Sequence, residues 1–333
     1  MKDMTPMPID LTTSRPFGRT GFAVSPLTLG TSGWGPPKPE ESDADRDERL
    51  ARLGAAFFER RVPMTAIDTS NMYGGGHSES YVGAALRAAG GSLDGLLLQT
   101  KLDRDTRTGD FGAERMERSL EESLERLGVD HLPLLFLHDP ESVGFRAAMA
   151  KGGPVDALVA MRERGVVTSI GISGGPVGML QSFVETDVFD ALVSHNRFTL
   201  VDRSADALCE AATSRGVGID NAAVYGGGVL TGDARFAGSY GYGPIKPQVA
   251  DAVQAISRLC TDGGFSLSAA ALQFSLRDPR IHSTIIGATS LDRIGDFEAE
   301  AAADIPEDFW TAVDAVLPPP SAALDADDPG RGA

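Results

Sequence analysis

Short apolar runs recur along the chain, and each is followed by a stretch whose apolar positions fall three and four residues apart. The runs at Leu27–Gly30, Thr65–Asp68, Leu96–Thr100, Leu132–Leu137, Ser169–Ile172, Ala191–His195, Gly218–Asn221 and Thr284–Ile286 do not alternate apolar with polar. Unalternating runs of that length are the mark of strands buried on both faces. Between them, Asp45–Arg61, Ser78–Ala89, Ala113–Leu127, Val155–Glu163 and Ser204–Ser214 carry helix periodicity, as Met116, Leu120, Leu124 and Leu127 show. Eight strand-then-helix units predict an α/β chain folded as a (β/α)8 TIM barrel. A doubly wound open sheet is the rival architecture. The chain has no G-x-G-x-x-G after its first strand and no G-x-x-x-x-G-K-[ST], which counts against that rival.

Additions to the repeating pattern fall at defined places. Arg15–Val24 reads as an N-terminal β-hairpin turning at Arg19–Gly21. A Gly/Tyr-rich loop (Gly226–Pro247) and a helix (Val249–Leu259) are inserted after the seventh strand, where a long loop belongs to the functional face. Residues 1–14 are expected to be a flexible lead-in, residues 15–317 a single barrel domain, and the Pro/Ala/Asp-rich residues 318–333 a flexible tail.

Composition narrows the function. A net charge of −17 leaves no basic surplus for nucleic acid or an anionic membrane surface. No apolar run approaches the ~20 residues of a membrane span, and the polar N-terminus has no apolar export segment. With only Cys209 and Cys260, at no metal spacing, the expectation is a cytoplasmic protein with two reduced thiols. The five histidines include no i, i+4 pair and no H-E-x-x-H, so no metal is expected; no G-x-S-x-G elbow suggests a hydrolase. There are five lysines, and Lys101 alone closes an apolar strand.

That lysine gives the candidate chemistry. Asp68 ends the second strand, Lys101 follows the third and His138 the fourth, and Tyr73 lies five residues past Asp68. Strand ends in a barrel share one mouth. Asp68 would keep Lys101 charged, Lys101 would draw the Tyr73 phenol below its ordinary pKa of ~10, and His138 would donate to a substrate oxygen. A phenol tuned in this way is a general acid for a carbonyl or a general base for an alcohol. Singly, each residue has a plainer reading: Asp68 as a helix cap, Tyr73 as a packed loop residue, His138 as a satisfied core group. Lysine at a buried strand end resists such a reading, because it is almost never buried unpaired.

Asp68-x4-Tyr73 with Lys101 and His138 resembles the active site of the aldo-keto reductase family. The resemblance extends over residues 15–316, through Phe17-Gly18-Arg19-Thr20-Gly21, Val24-Ser25-Pro26, Leu29-Gly30-Thr31, Gly165-Val166-Val167, Ile170-Gly171-Ile172-Ser173 and Ile285-Ile286-Gly287-Ala288-Thr289-Ser290. His195-Asn196-Arg197-Phe198-Thr199-Leu200 and Ala222 to Leu230 are similar to a branch holding L-fucose and D-threo-aldose 1-dehydrogenases and pyridoxal 4-dehydrogenases.

The resemblance implies a nicotinamide cofactor held without a Rossmann motif, with Ser173 and Asn196 on the carboxamide. It also implies cofactor contacts at Gly30, Thr31, Asp68, Tyr225, Gly227, Leu230, Ile286, Gly287, Ala288, Thr289, Arg293 and Phe297. Gly174 stands where the family often has Asn, and Ala222 where a ring-stacking aromatic is common, with Tyr225 three residues on. The basic position that NADP-using relatives place before Arg293 is empty, and Asp292 and Asp296 flank that arginine, so NAD is expected over NADP. Trp34 is the expected wall of the substrate pocket, beside Tyr73 and His138, and the loop bearing Tyr240 and Tyr242 is a candidate lid. The implied activity is NAD(P)-dependent oxidation of an aldose at C1, on a small sugar, aldehyde or alcohol. A pyridoxal-type dehydrogenase, a biosynthetic aldehyde or ketone reductase, and a cofactor-binding subunit without turnover are the alternatives. Oligomeric state is not readable from the sequence.

Overall fold

The computed structural model describes residues 9–35 and 40–326. The chain begins with an antiparallel hairpin, β1 (Arg15–Pro16) and β2 (Ala23–Val24). Seven strands follow: β3 (Leu27–Gly30), β4 (Ala66–Asp68), β5 (Leu97–Leu102), β6 (Leu132–His138), β7 (Val167–Gly174), β8 (Ala191–His195) and β9 (Gly218–Ala222). A two-stranded ribbon of β10 (Ser239–Tyr240) and β11 (Gly243–Pro244) precedes β12 (Ser283–Gly287). Strands β3 to β9 and β12 close into one parallel barrel, β12 pairing with both β3 and β9. Each expected strand is present, and most end within a residue or two of the predicted limits. Strand β5 runs two residues further than expected, which sets Lys101 inside the strand.

Helices α1 (Asp43–Phe58), α2 (His77–Ala88), α3 (Ala113–Leu127), α4 (Phe145–Ala148), α5 (Pro154–Glu163), α6 (Val177–Val184), α7 (Asp206–Ser214), α8 (Pro247–Gly263), α9 (Leu267–Leu276), α10 (Leu291–Ala301) and α11 (Glu307–Asp314) accompany the strands. Met116, Leu120 and Leu127 of α3 are buried, and Leu124 packs beside them. The helix stops at Gly128, whose φ of 72° suits a residue without Cβ.

The barrel interior has its own apolar plug. Phe17, fully buried, joins Ala66, Leu97, Leu134, Phe136, Val193 and Ile285 there. Arg19 N donates to Gly216 O at 2.7 Å, just before β9, so the hairpin covers the end of the barrel where the strands begin. Gly171 gives Phe136 its room, because a Cβ at 171 would stand 2.3 Å from that ring. With one end stoppered, the mouth at the strands' carboxyl ends is left for chemistry.

Two expectations about the ends are corrected. Leu11, placed in the flexible lead-in, is 7% exposed and belongs to the main core. In the expected tail, Asp325 pairs with Arg197 at 2.7 Å and accepts from Val177 N at 2.9 Å, while Ala322 is buried. A charged anchor and an apolar one hold residues 318–326 against the barrel; residues 1–8 and 327–333 lie outside the described residues. Cys209 and Cys260 are buried and unpaired, and burial pushes both thiols up to about 12. Among the described residues, no helix is long and apolar enough to cross a membrane.

Candidate active site

Three adjacent strands deliver the predicted groups to one cavity of 570 Å³ at the barrel mouth. Asp68 closes β4, Lys101 sits one residue from the end of β5, and His138 closes β6. Tyr73 enters from a 3-10 turn, Tyr73–Gly76, in which Gly74 and Gly75 take φ of 58° and 67°. Gly74 is needed sterically as well, since a Cβ there would lie 2.8 Å from Gly35 Cα.

Lys101 is 1% exposed, and its ammonium is fully used. Nζ donates to Asp68 Oδ2 at 2.7 Å, Thr69 O at 2.8 Å and Tyr73 OH at 3.1 Å. Burial alone would lower the lysine, but Asp68 and then Tyr73 outweigh it and hold the ammonium charged. Tyr73 itself departs from expectation. Its phenol is raised rather than lowered, because burial exceeds the opposing pull of Lys101, and Asp68 adds to the rise. The resting group is therefore a protonated phenol beside a fixed cation: it can serve as proton donor to an oxygen that gains charge, and the phenolate it needs in order to accept a proton depends on Lys101.

His138 is oriented by residues that the sequence did not single out. Asp103, 2% exposed, meets His138 Nδ1 at 2.6 Å; Ser70 bonds Asp103 and lies 3.2 Å from the same nitrogen. Met72 N donates to the other Asp103 oxygen at 3.0 Å. Burial would lower the imidazole, yet Asp103 outweighs it and raises the histidine. Burial would raise Asp103, yet His138, Ser70 and the Met72 N–H hold it low. Fixing the proton on Nδ1 leaves Nε2 for the cavity, and the ring stands edge-on to Tyr73 at 5.9 Å. The signal for Asp103 was faint: an acid two residues past Lys101, where a loop acid is ordinary.

The expected cofactor residues divide by location. Gly30, Ser173, Tyr225, Ile286 and Gly287 line the cavity together with Asp68. Asn196 follows β8 in the left-handed region (φ 61°), fully buried, with Oδ1 unpartnered. Gly227 is in the glycine run after β9, where Gly226, Gly227 and Gly228 have φ of 59°, 76° and 110°. Thr31 donates through N and Oγ1 to Asp68 O at 3.0 and 2.8 Å, securing the strand end. Leu230, Ala288 and Phe297 have buried side chains in the core, and Thr289 accepts from Arg49 through its carbonyl at 2.5 Å. Arg293 lies over the Phe297 ring at 4.1 Å and bonds Glu300 at 3.0 Å and Asp296 at 3.3 Å. An orphaned amide oxygen after β8 and a run of positive-φ glycines after β9 are groups that fit a nicotinamide dinucleotide.

Two aromatic expectations change. Trp34 is fully buried, donates Nε1–H to Ala288 O at 2.7 Å, and does not line the cavity. The indole is satisfied in the core, so it is not a substrate wall. Tyr240 is likewise buried, its hydroxyl bonded to Asn196 O at 2.8 Å and to Thr199 Oγ1 at 2.8 Å, which anchors the inserted loop. Tyr242 alone stands out at the rim, 85% exposed, with its ring 5.5 Å from His195. The cavity also holds Asp139, Glu141 and His195. Among the described residues, Asp139 Oδ1 has no hydrogen-bond partner; it lies 3.6 Å from His138 Nε2 and 3.9 Å from His195 Nε2. Burial, then Asp139, raises Glu141; burial lowers His195 to about 4, leaving that ring neutral.

Known proteins resemble this chain in sequence and in fold. The model of the aldo/keto reductase family matches residues 26–318. L-galactose dehydrogenase of Arabidopsis thaliana is 29% identical over 286 residues, covering 84% of this chain and 85% of its own. D-threo-aldose 1-dehydrogenase of a Pseudomonas species is 30% identical over 316 residues, covering 87% of this chain and 93% of its own. An aldo-keto reductase of Bacillus halodurans, solved in its holo form, shares the fold with a TM-score of 0.74 at 17% identity, over 95% of this chain and all of its own.

Proposed function

This chain belongs to the aldo/keto reductase family of nicotinamide-dependent oxidoreductases, and from that premise we propose that it oxidises a neutral aldose at C1 with NAD. The nicotinamide supplies the hydride acceptor; the chain supplies the proton chemistry and the grip on the sugar. Lys101 charged against Asp68, with its third bond to Tyr73 OH, is the observation that carries the reading. In the oxidative direction Tyr73 takes the hydroxyl proton and Lys101 stabilises the phenolate that accepts it. His138 Nε2 bonds the same substrate oxygen and holds it toward Tyr73. Ser173 and the free Oδ1 of Asn196 suit the carboxamide, and the Gly226–Gly228 cradle suits the pyrophosphate.

Sugar hydroxyls suit the rest of the cavity. Asp139 Oδ1 is an unused acceptor beside His138, with Glu141 and neutral His195 near it. Such a wall accepts hydrogen bonds from hydroxyls and repels carboxylate or phosphate groups. D-threo-aldose 1-dehydrogenase, among the similar proteins, bears a name for the same chemistry. For the cofactor, Arg293 is already paired with Glu300 and Asp296, which disfavours a 2′-phosphate.

The test is a panel of neutral aldoses, their uronate or phosphate counterparts, pyridoxal-type alcohols and small aldehydes, each with NAD and NADP. We expect neutral aldoses to give the highest kcat/KM, with NAD favoured about tenfold, the worth of one charge pair at ~1.4 kcal/mol. Faster turnover of the anionic sugars or the pyridoxal-type alcohols overturns the substrate reading, and a clear NADP preference overturns the cofactor reading.

A further inference from the structure

Directly beneath the catalytic cation, inside the barrel, lie two polar groups that the chemistry above does not use. Gln99 on β5 is fully buried and Asp220 on β9 is 1% exposed. A single nitrogen, Gln99 Nε2, donates to Asp68 Oδ1 at 3.1 Å and to Asp220 Oδ2 at 2.8 Å. Lys101 holds the other Asp68 oxygen at 2.7 Å and reaches Tyr73 OH at 3.1 Å. The result is one unbroken chain, Asp220–Gln99–Asp68–Lys101–Tyr73, from the barrel interior to the cavity.

Two atoms along it are bare: among the described residues, Gln99 Oε1 and Asp220 Oδ1 have no hydrogen-bond partner. In register with Asp220 are Val193 on β8 and Ser283 on β12, neither titratable. The charged groups acting on it are Asp68 from β4 and Lys101 from β5, and Lys101 is already committed to Asp68. An ionised Asp220 would therefore place an uncompensated charge in a dry interior and leave one carboxylate oxygen unsatisfied. A proton removes the charge and turns a bare acceptor into a donor.

We propose that Asp220 is a positioning residue for proton transfer: its protonated carboxyl, joined to Asp68 through Gln99, keeps a second negative charge out of the barrel and leaves Lys101 free to serve Tyr73. Loss of that proton adds a negative charge behind Asp68, draws on the field of Lys101 and tightens the grip of the phenol on its own proton. Burial, opposed by the Gln99 bond and reinforced by Asp68, lifts this carboxyl to about 8, so the proton is present at neutral pH and lost in mild alkali. The proposal rests on the reading of Tyr73 and Lys101 as the proton-transfer pair.

The experiment compares the unsubstituted protein with Asp220→Asn and Asp220→Val, two neutral side chains of similar size, so that a folding defect in one leaves the other. Oxidation draws on deprotonated Tyr73, so kcat rises with pH. In the unsubstituted enzyme we expect that rise to stall near pH 8, and in both variants to continue, giving roughly tenfold higher kcat in alkali, one pKa unit at Tyr73. The second reading is urea unfolding against pH and needs no turnover. Folded Asp220 binds its proton more tightly than the unfolded carboxyl, whose ordinary pKa is ~3.9. Stability must therefore fall as pH rises from there toward 8 and level off beyond it, and the variants should lose that fall. Variants that keep the stall in kcat overturn the proposal, as do variants whose stability follows pH as the unsubstituted protein does. If no aldose turns over, the aldose reading fails by itself, and the kcat comparison is made on reduction of a small aldehyde. There, a tighter-held proton on Tyr73 predicts a decline of kcat above pH 8 that both variants lack.

Discussion

Tyr73→Phe should lower kcat about 10³-fold, within the 10² to 10⁴ range of positioned general acid–base groups, while cofactor binding stays unchanged. Among the described residues, the hydroxyl that this substitution removes has one bond, at 3.1 Å from Lys101 Nζ. The ring keeps its edge-on packing against His138 and its place 4.5 Å from the ammonium, so neither the fold nor the cavity wall should shift. The phenol is protonated at rest, so its loss removes the proton donor of the reductive direction, and with it the phenolate that Lys101 would stabilise in the oxidative one. Fluorescence titration with the nicotinamide cofactor checks binding, and a steady-state assay checks turnover. Parental turnover by this variant would exclude Tyr73 as the proton-transfer group.

Lys101→Met should be the most damaging change to the whole molecule. Asp68 would be left with its side chain 3% exposed and without its cation. Breaking a buried pair from one side costs roughly 3–5 kcal/mol, a large share of a typical domain's stability. The stranded carboxylate should lower the urea midpoint at neutral pH. Adding Asp68→Asn removes the stranded charge and should return most of the stability without returning activity, because the group that stabilises the Tyr73 phenolate is still missing. Urea midpoints of the single and double variants, read beside turnover, separate the roles. Full activity in the double variant would assign Lys101 to structure alone.

Legibility of the site followed burial. Asp68, Lys101 and His138 were readable because each is a charged or titratable residue closing an apolar run, where water is absent and a partner is required. Asp220 gives the same signal, an acid inside Gly218–Ala222, and the reasoning that picked out Lys101 applies to it equally. Asp103 offers no such contrast; only the closure of β5 against β6 brings it to His138. The direction of the Tyr73 shift depends on how deeply the ring is buried, which spacing along the chain does not encode. Trp34 shows the same limit for an aromatic loop residue, which can face the cavity or the core.

The fold was legible where periodicity was strong. Helix α9 is buried on nearly every face and has no polar stripe to reveal its period. The segment at 318–326 is held by a pair between residues 128 positions apart, Arg197 and Asp325, and its Pro-rich composition reports none of that.

The most direct test of the central claim, that Tyr73 and Lys101 move a proton while C1 gives up hydride, uses an aldose deuterated at C1. With the unsubstituted enzyme, deuterium should appear on the nicotinamide ring of the reduced cofactor, and Tyr73→Phe should form that labelled cofactor about 10³-fold more slowly. Reduced cofactor free of deuterium, or equal labelling rates in the two proteins, would contradict it.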